Sequence, residues 1–220
     1  MSKEQIIRNL TVVIGPAVLE TLIMVLMSVT IGSVLGFIIA LLLTLFKEDG
    51  LKPNKWIFNS LSFLVNTIRS FPGLILIVSV TPLTKLLVGS TLGIAAAVVP
   101  LSISCTFLVA RLLEDQFRRV DAQLIEAAHS FGASNLQILM KVIVHESVPA
   151  IISTVTLASI NMIAMSTIAG TVGAGGVGSV ALNYGFHSFN NFILYTCVFI
   201  LFILVQLTQS LGNYLYKKFE

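Results

Sequence analysis

The sequence predicts an all-α integral membrane protein with five transmembrane helices. Three observations indicate this fold class: 56% of the 220 residues are hydrophobic, only 10% are charged, and the mean hydropathy is +0.97. A soluble domain has a charged fraction of roughly 25%, so these values exclude an ordinary soluble protein. The apolar residues also form runs long enough to cross the roughly 30 Å of bilayer hydrocarbon as helices.

The first span is predicted over about residues 20–46. Its apolar run extends from Leu22 to Phe46, much longer than the apolar core of a signal peptide, so we interpret it as a span that the protein retains. Glu20 lies at the outer end of this span. A carboxylate at that position is expected to cap a helix or to reach the membrane surface.

The second span is predicted over about residues 57–80 and contains Arg69, Pro72 and Gly73. A proline and a glycine inside an apolar run predict a broken or kinked helix. A charge at this depth seldom faces lipid, and two interpretations of Arg69 remain open. It either joins its own broken helix to a neighbouring helix or borders a path through the protein.

The third span is predicted over about residues 91–113, with a kink at Pro100. An outer loop is expected before it, beginning at Thr81 and Pro82 and including Lys85. The charged residues after this span predict a return to water: Arg111, Glu114, Asp115, Arg118 and Arg119.

The fourth span is predicted over about residues 148–170 and has more small and polar residues than the other spans. Small residues recur in it at multiples of four positions, which allows a neighbouring helix backbone to come close. Asn161 and Ser166 make it the most polar span, so we expect it to face protein or a water path and not lipid. The small residues are Ala150, Thr154, Ala158, Ser166 and Gly170.

A glycine-rich segment, residues 171–191, contains no Lys, Arg, Asp or Glu. Gly173, Gly175 and Gly178 match the pattern G-x-G-x-x-G, but a dinucleotide site also needs a preceding strand and an acidic residue about 20 positions later, and both are missing. We interpret the segment as an ordered outer or partly re-entrant loop, in which glycines permit tight turns and close packing. The candidate positions are Gly173, Gly175, Gly176 and Gly178.

The last span is predicted over about residues 192–211, and tyrosines and lysines after it form a typical interfacial anchor. Lysine and arginine are distributed unevenly across the predicted membrane. Because cytoplasmic loops carry the excess of bases, we predict a multi-pass protein of the cell membrane with its N-terminus outside and its C-terminus in the cytoplasm. The predicted cytoplasmic bases are Lys47, Lys52, Lys55, Arg111, Arg118, Arg119, Lys141, Lys217 and Lys218, and the predicted outer bases are Lys3, Arg8 and Lys85.

Residues 121–145 form the one long amphipathic segment between the apolar spans, and the pattern predicts a hairpin of two short helices. Asp121 can cap the first helix, and Gly132 can take the left-handed conformation that ends it. Ser134 and Gln137 form a capping box for the second helix. Each helix is predicted to have an apolar face. These faces are Leu124, Ile125, Ala128 and Phe131 in the first helix, and Leu136, Leu139 or Met140, and Ile143 in the second.

Within this hairpin, the run of Glu126, Ala127 and Ala128 is followed by Gly132, and then by Val142 and Val144. This order and spacing resemble the EAA loop, the cytoplasmic signature of permease subunits of binding-protein-dependent ABC importers. In that family the loop docks into a groove of the ATPase subunit, so the resemblance implies that these residues couple the chain to an ATPase.

One position departs from the EAA pattern, which usually closes with Leu-Pro where this chain has Val144 and His145. We therefore expect a less rigid helix exit at His145, which we count among the coupling residues. Since Pro149 follows closely, we also expect that the chain here has little need to be helical and that the protein tolerates His145→Pro.

Two other interpretations of the hairpin remain. A helix-turn-helix DNA reader has Ala and Gly at a similar spacing, but it needs a clustered basic face, and here nearby acids offset Arg118, Arg119 and Lys141. We therefore predict no nucleic-acid partner. The second alternative is a surface helix pair without any partner.

No nucleotide-binding loop of the form G-x-x-x-x-G-K-[ST] occurs, so a partner would have to bind ATP and Mg²⁺. No internal repeat of the kind seen in many secondary transporters is detectable. A membrane-embedded enzyme would need convergent polar groups at one depth, whereas Glu20 and Arg69 lie near different levels. An enzyme or a scaffold is therefore the less favoured alternative. The histidines and cysteines have neither metal-ligand nor disulfide spacing: His129, His145, His187, Cys105 and Cys197.

Residues that resemble those of importer permeases also occur outside the hairpin. They are Glu20 and Thr21, Arg69, Ser70 and Pro72, Ala110, Arg111 and Glu114, and the segment 172–178. Together with the five spans, they resemble methionine-importer permeases. The resemblance implies that residues 1–220 form a single transmembrane domain without a cofactor, which works as a homodimer with two ATP-binding subunits and an external methionine-binding protein. Candidates for the translocation path are Arg69, Asn161 and Ser166. A permease for another small amino acid or a related solute is the alternative.

Overall fold

The computed structural model describes residues 8–219, and every regular element in this range is a helix. Three segments are π-helical: Asn9–Ile14, Leu139–Ile143 and Ala181–Phe186. The first of these opens α1, the second lies within α7, and the third extends α9. In this part of the chain the helices are α1 (Asn9–Phe46), α2 (Lys55–Ser70), α3 (Gly73–Ser79), α4 (Thr81–Val88), α5 (Ile94–Phe117), α6 (Ala122–Ser130), α7 (Asn135–Ile138, Leu139–Ile143 and Val144–Glu146), α8 (Val148–Thr171), α9 (Gly176–Val180 and Ala181–Phe186) and α10 (Asn191–Phe219).

Four of these helices, α1, α5, α8 and α10, are long and apolar enough to cross a membrane, and the bent pair of α2 and α3 makes a fifth if the two count as one span. We call the end of the bundle at which α1 and α5 finish the basic end. There the Asn135 side chain donates a hydrogen bond to the Leu51 carbonyl (2.8 Å). At the opposite end the Gly93 N–H donates to the Gly173 carbonyl (2.9 Å), which joins the start of α5 to the turn after α8.

The helices extend beyond several of the predicted spans. The first begins at Asn9 instead of near residue 20, and the last continues to Phe219 instead of ending near 211. The prediction marked the apolar stretch of each helix, whereas backbone hydrogen bonding continues into the polar region at the membrane surface. The third predicted span, 91–113, corresponds to α5 at Ile94–Phe117 and is displaced by a few residues. The fourth predicted span, 148–170, agrees with α8 at Val148–Thr171. Lys3, one of the predicted outer bases, lies outside the described residues.

The second predicted span is broken, as expected, but it is not one helix over 57–80. The backbone at Phe71 is extended (ψ 132°), and α2 and α3 meet at an angle of 109°. Phe71 precedes Pro72, and a residue before proline is disfavoured in the helical region, so the chain turns at this point. The segment in which a loop was expected from Thr81 is instead helical. Pro82 lies in the first turn of α4, where its missing N–H is not needed, and Gly89 ends the helix with φ +79°.

Helices α1 and α5 make the most extensive contact in the bundle, at a place that no sequence pattern indicated. Gly32 and Gly36 of α1, four residues apart, lie against α5. A Cβ on Gly32 would collide with Cys105, and a Cβ on Gly36 would lie 2.6 Å from the carbonyl oxygen of Thr106. The two backbones therefore approach as closely as glycine allows, which is the small-xxx-small packing of membrane helices.

The fourth span packs closely against its neighbours, as its small residues predict. Ala158 and Ser166 are buried in α8. A Cβ on Gly170 would lie 2.6 Å from the Ser179 nitrogen of α9, and a Cβ on Gly212 of α10 would collide with Thr156. The main core cluster lies between α1, α5 and α8.

The start of α1 holds the start of α9, although 156 residues separate them along the chain. The Gly176 N–H donates a hydrogen bond to the Glu20 carboxylate (2.6 Å), and the Val177 N–H donates to the Thr21 hydroxyl (2.9 Å). Two N–H groups that α9 cannot satisfy internally thereby find acceptors on α1. Glu20 does act as a cap, but for a different helix from its own.

The glycine-rich segment is an ordered structure and mostly helical, not a loop. Gly173 and Gly175 lie in the turn between α8 and α9, and both have positive φ angles. Gly176 and Gly178 are buried within α9. A Cβ on Gly176 would lie 2.7 Å from the Thr21 hydroxyl oxygen, and one on Gly178 would collide with Thr167. Close packing explains these glycines.

We predict that Gly36→Val destabilises the protein by about 1–3 kcal/mol, because the added side chain forces α1 away from α5. The measurement is the melting temperature of the detergent-solubilised protein. Ala95→Val, at an exposed position of α5, is the matched control and should melt like the wild type. Equal melting temperatures for the two variants would contradict the close α1–α5 contact.

We predict that Glu20→Ala increases hydrogen exchange at residues 175–178 about fivefold or more, because the Gly176 N–H loses its acceptor at a cost of roughly 1–3 kcal/mol. Glu20→Gln retains an acceptor oxygen and should keep most of the protection. Exchange is measured by mass spectrometry. Unchanged exchange in Glu20→Ala would show that this contact does not hold α9.

Candidate functional site

The predicted hairpin is present at the basic end, and its caps are those that the sequence indicates. The Gln123 N–H donates to the Asp121 carboxylate (2.9 Å) at the start of α6. Gly132 has φ +77° and forms the left-handed turn. The Ser134 N–H donates to the Gln137 side chain (2.8 Å), and the Gln137 N–H donates to the Ser134 hydroxyl (3.4 Å), which completes the capping box.

Helix α7 anchors the hairpin to the bundle. Ile138, Leu139 and Ile143 are buried, and Asn135 holds the loop after α1 through Leu51. Ile138 is not among the residues that the sequence predicted for the apolar face. The π-helical segment Leu139–Ile143 explains the difference, because it changes the rotation per residue and so the side chains that face the core.

Helix α6, by contrast, has no fully buried residue. The predicted apolar face of the hairpin is therefore only partly packed: Ile125 is half-buried against the core, but Phe131 is 91% exposed and Leu136 is 69% exposed. We define the apolar hairpin surface as the exposed side chains of Leu124, Phe131, Leu136 and Met140. Large apolar side chains left exposed at a charged end of a protein are typical of an interaction surface.

The predicted coupling residues fall into two groups in the structure. Exposed positions are Glu126, Ala127, Gly132 and His145, and half-buried positions are Ala128, Val142 and Val144. Val144 packs against the main core, so its place is in the anchor and not on the exposed surface. The first group is accessible to another protein.

We predicted that the chain at His145 has little need to be helical, and this prediction is wrong. His145 lies within α7, which continues to Glu146. Ser147 alone separates α7 from α8, and its N–H donates to the carbonyls of Ile143 and Val144 (3.2 Å each). Hydrogen bonding thus connects the hairpin almost continuously to the fourth span, so the chain offers no loose exit for a proline.

A group of ion pairs fixes the end of α5, next to the hairpin. The Arg111 guanidinium lies 2.9 Å from the Glu114 carboxylate and 3.3 Å from that of Asp115, and Arg118 lies 3.7 Å from Glu114. Exposure to water was predicted here, but Glu114 is only 1% exposed. A buried carboxylate needs such partners, so the group orients the chain as it leaves the bundle toward α6.

The loop after α1 faces α6 across a cavity of about 370 Å³. Lys47 donates a hydrogen bond to the Asp49 carboxylate (2.7 Å), and this bond lowers the pKa of the Asp49 carboxyl below its ordinary value. The cavity lies between this loop and the side of α6 that carries Glu126 and His129. Helix α6 is therefore not packed tightly against the bundle on this side.

A second candidate region lies within the spans, at the bend between α2 and α3. Arg69 and Asn161, both predicted for the translocation path, line one cavity of about 230 Å³ together with Ser104. Ser166 does not line it. Its side chain is buried, and its hydroxyl donates to the Ile163 carbonyl of its own helix (2.7 Å).

The chain matches a known family over most of its length. The family described as "Binding-protein-dependent transport system inner membrane component" matches residues 32–220. The chain is 41% identical over 201 residues to the probable D-methionine transport system permease protein MetI of Vibrio cholerae serotype O1, a match that covers 91% of this chain and 89% of that protein. The protein of the same name from Pasteurella multocida is 36% identical over 207 residues, covering 94% and 95% of the two chains.

A solved structure agrees with these relatives. The fold superposes with a TM-score of 0.94 on a chain of the inward-facing MetNI methionine ABC transporter in its CY5 native crystal form, with 31% sequence identity and 100% of both chains covered. The family match, the relatives and the fold point to the same conclusion. The chain belongs to the family of binding-protein-dependent transport system inner membrane components.

Proposed function

We propose that this chain is the permease subunit of an ATP-driven importer of methionine. The observation that carries the proposal is the apolar hairpin surface, which is exposed at the basic end and lies on a hairpin with the EAA residues. The similarity to permeases named for D-methionine transport supports methionine as the solute. Another small amino acid or a related solute is the alternative.

In this proposal the hairpin binds the ATPase. Leu124 lies on α6 and Phe131 directly follows its last residue, and both side chains are exposed, so they would enter an apolar groove of the partner. Ala127 is exposed beside Leu124, where the small side chain allows close approach. Glu126 is exposed on the side of α6 that faces the cavity, where its carboxylate provides a charge for the partner. ATP and Mg²⁺ would be bound by two such ATPase subunits and not by this chain.

Movement of the hairpin would be passed to the translocation path through α7 and α8. The buried face of α7 ties the hairpin to the core, and only Ser147 separates α7 from α8. Helix α8 carries Asn161, which lines a cavity with Arg69 of α2. A displacement of α6 and α7 driven by the ATPase can therefore alter this cavity without first unfolding a linker.

The remaining parts of the proposed assembly rest on the distribution of charge and on the resemblance to methionine-importer permeases. The basic end would face the cytoplasm and the start of α1 would lie outside, since bases are concentrated in cytoplasmic loops. The working unit would be a permease homodimer in the inner or plasma membrane. An external methionine-binding protein would deliver the solute at the opposite end, where the turn with Gly173 and Gly175 is located.

Uptake tests the proposed function directly. The permease is reconstituted in liposomes with its ATPase and binding protein, and labelled methionine is supplied outside. We predict ATP-dependent accumulation that unlabelled methionine suppresses more strongly than other amino acids do. Accumulation of a different amino acid in place of methionine would support the alternative solute, and no uptake of any amino acid would contradict the proposal.

The hairpin variants test the coupling. We predict that Gly132→Val strains the left-handed turn by roughly 1–2 kcal/mol and that Glu126→Lys reverses the charge offered to the ATPase. Each should reduce methionine uptake per ATP hydrolysed several-fold while the protein stays in the membrane.

The chain offers a matched control for each substitution. Gly89 has φ +79°, close to the +77° of Gly132, and a Cβ added at either glycine would meet no other group within 4 Å, so Gly89→Val reproduces the backbone strain away from the hairpin. Glu48 is an exposed acid in the loop after α1, so Glu48→Lys reproduces the change of charge at the same end. Normal coupling in both hairpin variants, or equal losses in the controls, would show that the hairpin is not the coupling element.

A further inference from the structure

We propose that the cavity around Arg69 is a binding site for a free amino acid, in which the guanidinium binds the α-carboxylate of the solute. The inference rests on the proposed function and adds to it a site, a chemical group and a residue for each contact. The side chain of Arg69 forms no hydrogen bond and no ion pair with any other residue in the described range 8–219.

An unpaired guanidinium at this depth is unusual. Arg69 lies near the end of α2, about 21 Å from the start of the helix at Lys55 at 1.5 Å per residue. Arginine inside a membrane is normally paired or faces a water-filled cavity, because an unpaired charge in hydrocarbon is costly. The interpretation in which Arg69 joins its broken helix to a neighbour is therefore not supported by the contacts of the described residues. Arg69 is exposed in this chain and lines a cavity, so a partner from outside the chain can reach and satisfy it.

The sequence restricts what that partner can be. Among the described residues, two acids lie in the last turn of a span, Glu114 and Asp115 of α5, and both are paired with arginine there. Glu20 is the one acidic residue that lies elsewhere within these spans. Its carboxylate already accepts the Gly176 N–H. Glu20 also lies about 39 Å along α1 from the basic end, whereas Arg69 lies about 21 Å along α2 from the same end. Residues 8–219 of a second copy therefore offer no free carboxylate at the level of Arg69, and a solute can supply one.

The other polar groups of the cavity complete an amino-acid site. Among the described residues, the side chains of Asn161 and Ser104 also form no hydrogen bond to protein. The guanidinium fork binds a carboxylate through two parallel hydrogen bonds. The carbonyl oxygen of Asn161 and the hydroxyl oxygen of Ser104 can accept hydrogen bonds from an ammonium group. These groups match the two charges that every free amino acid carries on its α-carbon.

The remaining wall of the cavity selects an apolar side chain. Leu76 and Met165 are buried there, and Gly73 brings α3 so close to α8 that a Cβ on it would lie 2.5 Å from the Met165 sulfur. The flexible side chain of Met165 can adapt its shape to the solute that it contacts. The volume of about 230 Å³ is below the roughly 300–1,000 Å³ of sites for drug-sized ligands, so it suits one amino acid and excludes a sugar chain or a long peptide.

Binding by the purified permease–ATPase complex, in nanodiscs and without a binding protein, tests the inference. The probes are labelled methionine and its competitor methioninamide, in which an uncharged amide replaces the carboxylate. We expect the wild type to bind methionine saturably and to prefer it to methioninamide about tenfold or more, since a hydrogen-bonded ion pair is lost. Arg69→Met should abolish this preference, Arg69→Lys should reduce it, and Asn161→Ala should weaken both ligands alike.

Lys85→Met removes an exposed base outside the cavity and is the matched control, which should keep the wild-type preference. The melting temperature of each complex shows whether it is folded, and if Arg69→Met does not assemble, the reduced preference of Arg69→Lys decides the outcome. Absence of saturable methionine binding, or an unchanged preference in the Arg69 variants, would overturn the site. Uptake by the wild type with its binding protein reports separately on the proposed function, which stands if uptake persists and fails if it does not.

Discussion

The contact between α1 and α5 is the constraint on which the rest of the structure depends. Lipid and helix surfaces are equally apolar, so close backbone packing must replace the hydrophobic effect in holding membrane helices together. Gly32 and Gly36 permit that packing against Cys105 and Thr106. The start of α1 then holds α9 through Glu20, and the end of α5 carries the ion pairs around Glu114 that lead to the hairpin. Both ends of the bundle are thus positioned from one helix pair.

The hairpin is anchored to the bundle on one side and exposed on the other. Ile138 and Ile143 bury one face of α7 in the bundle, while Phe131, directly after α6, is exposed to water and a partner protein would cover it. Because Ser147 alone separates α7 from α8, a force on this surface reaches a span directly. The same span carries Asn161 beside Arg69, so the proposed ATPase surface and the proposed solute site share one rigid element.

Local chemistry was sufficient to predict some parts of the molecule and insufficient for others. The turn at Gly132 and the box of Ser134 and Gln137 depend on neighbouring residues only, and both are present as predicted. The 109° bend at Pro72 was expected as a break, but its size depends on how α3 packs against α8. The partners of Gly36 and Glu20 are distant in sequence, so no local pattern could name them. Arg69 and Asn161 were both selected as polar residues in apolar spans, but only the fold shows that they share a cavity.

Crosslinking from the apolar hairpin surface tests the central claim, that this surface binds the ATPase. Phe131→Cys, in a background with Cys105 and Cys197 replaced by alanine, is labelled with a benzophenone maleimide and irradiated in the assembled complex. Trp56→Cys is the control, because Trp56 is 87% exposed at the same end but outside the hairpin. The account predicts a covalent product with the ATPase from position 131 and little or none from position 56. No product from position 131, or equal yields from the two positions, would contradict it.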